Sequence, residues 1–294
     1  MEIVRLKGDT WTIQGPVNIG IYVKEARAVL IDSGNDSSAG RKILRLVEEK
    51  GWNIKWIINT HFHADHTGGN AFIQKRTGCG IAASPKEAPF IDFPEMEPET
   101  LWSGKAPKII CNKFLQAEKS AVTKLLEPGD DIDGYGLEII ALPGHAHGQI
   151  GVRTPDNVVF TADSVISEHI LDKYGIPFVA DPMLAISTFD SLENLEADFF
   201  VPSHGEISSD IKEMIRANRK CLEALTEEIT EICAEPKSLD DILASMSARH
   251  CINMTMSQYV LTRSTIAATA SPLIDSGILF PSYDSGTLKL CRKI

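Results

Sequence analysis

From residue 3 to residue 32 the chain alternates short runs of β-branched and apolar residues with turn residues. IVRL, TWTI, NIGIYV and AVLIDSG are separated by Gly, Asp and Pro, the pattern of a strand meander. Between Ser38 and Lys50 the period changes: Ile43, Leu44, Leu46 and Val47 recur at helical spacing, and Gly51 supplies a stop. KWIIN then returns to a buried strand and runs straight into THFHADHTGGNAFIQKRTG. The second half of that run, Asn70 to Arg76, predicts a short helix leading to the strand GIAAS, so the histidines fall at a strand-to-helix junction. Residues 85 to 114, rich in Pro, Glu and aromatic side chains and without a period, predict a long loop holding a short helix.

Residues 120 to 166 resume as strands, punctuated by the turn signals PGD, DGYG, PGH and PDN. After VPSHGEI the texture becomes helical. A charged helix is expected over Ser209 to Cys233, a second opens at the cap Ser238, and a third spans Ser257 to Ser276. Two short strands, GILF and TLKL, then flank the turn YDSG. The long helix carries Ile211, Met214, Ile215, Leu222, Leu225, Ile229 and Ile232 as an apolar stripe that must be covered by the rest of the chain or by a second copy, so a homodimer is one option. The expected division is a sheet-based domain at 1–206 and a mainly helical, winged-helix-like domain at 207–294, together an α/β (α+β) chain.

With 294 residues, 43% of them hydrophobic and 23% charged, either domain can bury a core. A net charge of −11 opposes a phosphate backbone over most of the surface, and residues 206 to 294 hold 12 acidic against 10 basic side chains, a net of −2. Nucleic acid is therefore a disfavoured partner. No apolar run reaches the length of a membrane span, and the first residues carry no signal-peptide pattern, so the reading is no membrane and a cytoplasmic location. Cys79, Cys111, Cys221, Cys233, Cys251 and Cys291 form no CxxC pair and read as reduced, mostly buried small hydrophobes.

The chemistry concentrates in HFHADH. Residues two apart cannot share a helix face, so His61 and His63 must project from extended or loop backbone, with Asp65 and His66 on the following turn. Such a segment offers two imidazoles to one ion and a carboxylate plus an imidazole to a second. His145 in LPGHAHG and His204 in VPSHGE lie in Gly-flanked loops after strands, and Asp163 ends the strand VVFTAD.

In order and setting, His61, His63, Asp65, His66, His145, Asp163 and His204 resemble the signature of the metallo-β-lactamase superfamily, with Asp32 in LIDSG completing it over roughly residues 10 to 207. The resemblance implies an αββα sandwich with two divalent metal ions at one edge of the sheets. It implies His61, His63 and His145 on one ion, Asp65, His66 and His204 on the other, Asp163 bridging, and Asp32 holding the histidine loop. The donor types suit zinc first, with iron or manganese also accepted. Two such ions would deliver a bridging hydroxide as nucleophile at neutral pH, which makes Asp65 and Asp163 the carboxylates of the catalytic centre.

His147 and His169, close in sequence to these positions, and Phe90, Phe93 and Trp102, in the loop after the histidine run, are candidate pocket residues; His250 reads as structural. The function implied is hydrolysis of a small-molecule, ester-like substrate, a thioester or lactone. Phosphodiester or endoribonucleolytic cleavage on the same fold, a non-hydrolytic ligand-binding regulatory protein and a mononuclear iron oxygenase are the alternatives. After Asp163 the chain reads SVISEHILDKYG, without the GCGR-type segment of hydroxyacylglutathione hydrolases.

Overall fold

In the computed structural model, which describes residues 1–293, two sheets lie face to face with helices on both outer sides. Strands β1 (Glu2–Lys7), β2 (Thr10–Gln14), β3 (Ile19–Lys24) and β4 (Arg27–Ile31) form the expected antiparallel meander. Helix α1 (Ser37–Glu49) then crosses over to β5 (Asn53–Ile58), parallel to β4. The Asp36 carboxylate caps α1 by accepting from the N–H groups of Ser38 and Ala39. Helices α2 (Ala64–Thr67) and α3 (Asn70–Thr77) lead to β6 (Gly80–Ala83). Two further helices, α4 (Ala88–Asp92) and α5 (Met96–Trp102), precede β7 (Lys124–Leu125), which completes a seven-stranded sheet in chain order. The segment 85–114 thus holds two short helices where the sequence predicted one, because Pro89 and Pro98 sit in first turns that its aperiodic surface hides.

The second sheet contains β8 (Glu138–Ala141), β9 (Ile150–Arg153) and β10 (Val158–Ala162). Helices α6 (Glu168–Tyr174) and α7 (Pro182–Glu193), neither expected from sequence, separate β10 from β11 (Phe199–Pro202), its parallel partner. Strand β10 shows how the layers form. Val158 and Phe160 point between the sheets, while Val159 points outward to the helices, and all three are buried. Burying each such side chain contributes about 1.5–3 kcal/mol.

The chain ends in α8 (Lys212–Ile232), α9 (Leu239–Arg249), α10 (Met256–Asp275) and a hairpin of β12 (Leu279–Asp284) with β13 (Thr287–Arg292). Ile215, Leu222, Leu225 and Ile229 of α8 share one core with Phe189 and Leu192 of α7, Val159 and Phe200 of the second sheet, and Ile242 and Ile266 of the following helices. The apolar stripe is therefore covered within the chain. Of the six cysteines only Cys79 and Cys233 are buried, so the expectation that most would be is corrected: Cys111 and Cys251 lie in irregular exposed segments and Cys221 and Cys291 are half-buried.

Candidate metal centre

The candidate ligands gather where strands of both sheets end. The segment leaving β5 delivers Thr60, His61 and His63, α2 carries Asp65 and His66, the loop after β8 gives His145, Asp163 directly follows β10 and His204 lies just beyond β11. Close backbone approach makes this possible. A Cβ on Gly69 would lie 2.2 Å from the Ser33 carbonyl oxygen, and one on Gly68 2.3 Å from the Asn35 backbone. The GG pair thus lets the histidine turn lie against the β4–α1 loop that carries Asp32.

Asp32, 1% exposed, is the hub of that contact. Its carboxylate accepts from the Thr60 N–H and the Thr60 hydroxyl, each at 2.8 Å, and from His66 Nδ1 at 2.8 Å. Because the Thr60 hydroxyl donates to Asp32, it accepts from His61 Nδ1–H at 3.1 Å. His145 Nδ1 donates to the Phe178 carbonyl at 3.0 Å and His204 Nδ1 to that of Pro16 at 3.1 Å. Four rings are thereby fixed with Nε2 facing inward.

These inward atoms form overlapping groups whose donor atoms lie within 4.8 Å of one another: His61, His63 and His145; His61, His66 and Asp163; Asp65, His66 and His204. His63 Nδ1 meets His61 Nε2 at 3.0 Å and His145 Nε2 at 2.9 Å, and a single ring proton cannot serve both. Asp163 Oδ1 and His66 Nε2 are buried with no hydrogen-bond partner among the described residues. Orphaned, converging donors of this kind are what a cation would satisfy, and imidazole with carboxylate fits a divalent transition ion.

Burial, reinforced by the neighbouring rings of His66 and His63, holds His61 neutral, and burial with His145 brings His63 down to about 3. Burial also lowers His145. For the other half of the cluster the carboxylates prevail. Burial alone would lower His66 and His204, but Asp163 and Asp65 raise both, His204 to about 8. Burial likewise opposes ionisation of Asp65 and Asp163, and the His66 and His204 charges outweigh it and hold both carboxyls below the usual range. The cluster demands positive charge at its centre.

A cavity of about 560 Å³ opens beside His63, Asp65, His145, Asp163 and His204. None of Phe90, Phe93, Trp102, His147 or His169, the pocket candidates of the sequence, lines this cavity. Phe90 instead stacks on Phe62, centroids 4.3 Å apart, and borders a separate shallow depression with the exposed His147. Phe93 is half exposed under the Lys119 amine, Trp102 is exposed at the end of α5, and His169 is exposed on α6. His250 pairs with Glu228 at 3.0 Å, away from the cluster.

The cavity wall comes from residues that sequence reasoning missed: Glu97 on α5, Lys113 and Phe114 in the following loop, and Phe178, whose ring meets His63 and His145 edge-on at 5.2 and 5.6 Å. Burial, with the charges of Asp65 and Glu87, pushes the Glu97 carboxyl well above its usual range. Glu87, 1% exposed, was also missed. Its carboxyl accepts from the Phe62 N–H at 3.1 Å and the Gly148 N–H at 2.6 Å, tying the loop of His61 and His63 to the loop of His145. Burial raises it to about 7 against the pull of those two donors. Only an acidic residue soon after β6 could have hinted at either role.

A four-layer sandwich with a histidine–aspartate cluster at its strand ends defines a metal-dependent hydrolase. The chain belongs to the metallo-beta-lactamase superfamily, whose family profile matches residues 12–204. A probable metallo-hydrolase of Methanocaldococcus jannaschii is 26% identical over 210 residues, 70% of this chain and 93% of that protein. A hydroxyacylglutathione hydrolase of Erythrobacter litoralis is 29% identical over 143 residues, and the match spans 46% of this chain and only 45% of the relative. In structure, a beta-lactamase domain protein from Burkholderia ambifaria superposes with a TM-score of 0.77 at 18% identity, covering 99% of this chain and 94% of that one. That likeness extends the shared fold through the C-terminal helices.

Proposed function

We propose that the protein is a dinuclear-metal hydrolase acting on a small ester-like substrate, a thioester or lactone. The observation that carries this reading is the position of Asp163. Its Oδ1 lies 3.4 Å from His66 Nε2, and its Oδ2 lies 3.5 Å from both His145 Nε2 and His204 Nε2, so one carboxylate touches both donor groups. On this reading His61, His63 and His145 hold one ion, Asp65, His66 and His204 the second, and Asp163 both. Two divalent ions so held would supply an activated water at neutral pH and polarise the carbonyl under attack.

The chain's own residues do the positioning. Asp32, the Phe178 carbonyl and the Pro16 carbonyl fix ring orientation, and Glu87 keeps the two ligand loops in register. The pocket supports a neutral ester-like group over a phosphodiester, because Glu97 and apolar side chains face it while its lysines, Lys113 and Lys173, have exposed side chains. Relatives named hydroxyacylglutathione hydrolases favour thioester chemistry. The segment after Asp163 lacks their GCGR-type sequence, which argues for another thiol or alcohol.

Elemental analysis of zinc-loaded protein, followed by a panel of thioesters, lactones and bis-p-nitrophenyl phosphate, tests the proposal. Two equivalents of metal and a preference for the carboxylic substrates are expected. One equivalent, or faster turnover of the phosphodiester, would reject it.

A further inference from the structure

The cavity beside the metal centre has two unlike ends. One end is the donor cluster with Glu97. The other is built from Ile166, Ile170, Ile176, Phe189, Leu222 and Leu261, contributed by α6 and its flanking loops, by α7 and by the C-terminal helices α8 and α10. Phe189 and Leu222 are only 3% and 4% exposed yet face the cavity, so this end runs into the interior. Polar side chains on the same wall are already engaged. Asn218 accepts from the Ile166 N–H and donates to the carbonyls of Ile166 and Met214. The Thr265 hydroxyl accepts from the Val179 N–H and donates to the Pro177 carbonyl, and Thr262 accepts from Gln258. Asn218 and Thr265 thus offer this end no spare hydrogen-bonding capacity, and an apolar group packed against them would break no hydrogen bond.

We infer that this inner end is a binding channel for a medium-length apolar acyl chain, with its carbonyl at the metal cluster and α8 and α10 as the wall that selects chain length. The inference rests on the hydrolase reading for the carbonyl's position, but the apolar channel is a property of the walls alone. The whole cavity, at about 560 Å³, lies within the range of about 300–1,000 Å³ typical of small-molecule pockets. The polar leaving group would stay at the rim, where Lys113 and Lys173 stand. Residues assigned to a C-terminal module thus help to set substrate choice.

Calorimetric binding of straight-chain carboxylates from butyrate to decanoate to the zinc-loaded full chain reads the channel without requiring turnover. Affinity should rise by about fourfold per buried methylene, about 250-fold from hexanoate to decanoate. Leu261→Trp on α10 and Ile170→Trp on α6, each verified as folded by circular dichroism, should flatten that dependence by filling the channel from two different helices. Acyl thioesters of the same lengths, assayed in parallel, should show the same slope in kcat/KM and the same flattening. Chain-length-dependent binding lost in both variants, without hydrolysis of any ester, would uphold the channel and reject only the hydrolase reading. Affinities independent of chain length, or a slope that survives both tryptophans, would overturn the channel even if short esters are turned over.

Discussion

Asp32 shows how much of the centre depends on one residue outside the donor cluster. It adopts φ 66°, a region that non-glycine residues seldom occupy, and three buried donors converge on its carboxylate. Asp32→Ala leaves those donors without an acceptor, at about 1–3 kcal/mol each, and frees the His66 ring. We expect metal affinity to fall by about 10–100-fold in chelator competition. Asp163→Ala, which removes the carboxylate touching both donor groups, should cost activity by several orders of magnitude more. Equal and mild losses in the two variants would mean that the cluster is not the catalytic centre.

Glu87 gives a pH signature. Its carboxyl titrates near 4.5 when unfolded and about 7 when folded. Below 4.5 it is neutral in both states. As pH rises from there towards 7 the unfolded chain ionises first, so its contribution to stability is lost over that window. The wild type should therefore lose on the order of 3 kcal/mol relative to Glu87→Gln between pH 4.5 and pH 7.5, read from denaturant unfolding of metal-free protein. A parallel pH dependence in the two proteins would refute this. His61, His63, Asp65, His66, His145, Asp163 and His204 were legible in the sequence because such residue types rarely cluster by chance at strand ends. Glu87, Glu97 and Phe178 were not, since nothing local distinguishes a glutamate or phenylalanine that acts only once distant loops meet.

At the scale of elements, β10 is both core strand and delivery device. It slips register against β11 between Phe160 and Ala162, and Ala162 takes φ 52° just before Asp163. That local twist turns the carboxylate into the cluster. Ala162→Gly should stay within about 1 kcal/mol of wild type, since glycine accepts this conformation freely. Ala162→Val, β-branched in the left-handed region, should lower both Tm and metal affinity, and a valine variant as stable as the glycine one would show that the kink is unimportant. The strands and the helices α1 and α8 were readable because their apolar periodicities are clean. Helices α6 and α7 were not: α6 is one short helix of seven residues, and α7 buries Ala185, Thr188, Phe189 and Leu192 between two layers without a strong polar face.

At the scale of the whole molecule, the C-terminal segment belongs to the catalytic body in two senses. Its helices share a core with α7 and the second sheet, and they wall the cavity beside the donor cluster. The stripe on α8 that invited a second copy is covered inside the chain, so a chain ending at Glu206 should expose Leu142, Val159, Phe189 and Phe200 and fail to unfold cooperatively, with no clean conversion of dimer to monomer. Nucleic-acid binding is also disfavoured by charge. Residues 206 to 294 hold 12 acidic and 10 basic side chains, and Arg216, Arg219, Arg249, Arg263 and Lys289 are all engaged with carboxylates of the same chain. Neutralising several phosphates needs clustered free cations and gives an affinity that falls steeply with salt. Gel shifts with single-stranded RNA at low salt should therefore show no retained complex for the intact protein. Salt-sensitive RNA binding that is weakened by charge reversal at Lys212 or Lys220 on α8 would instead make the C-terminal helices a nucleic-acid surface and bring phosphodiester cleavage to the front.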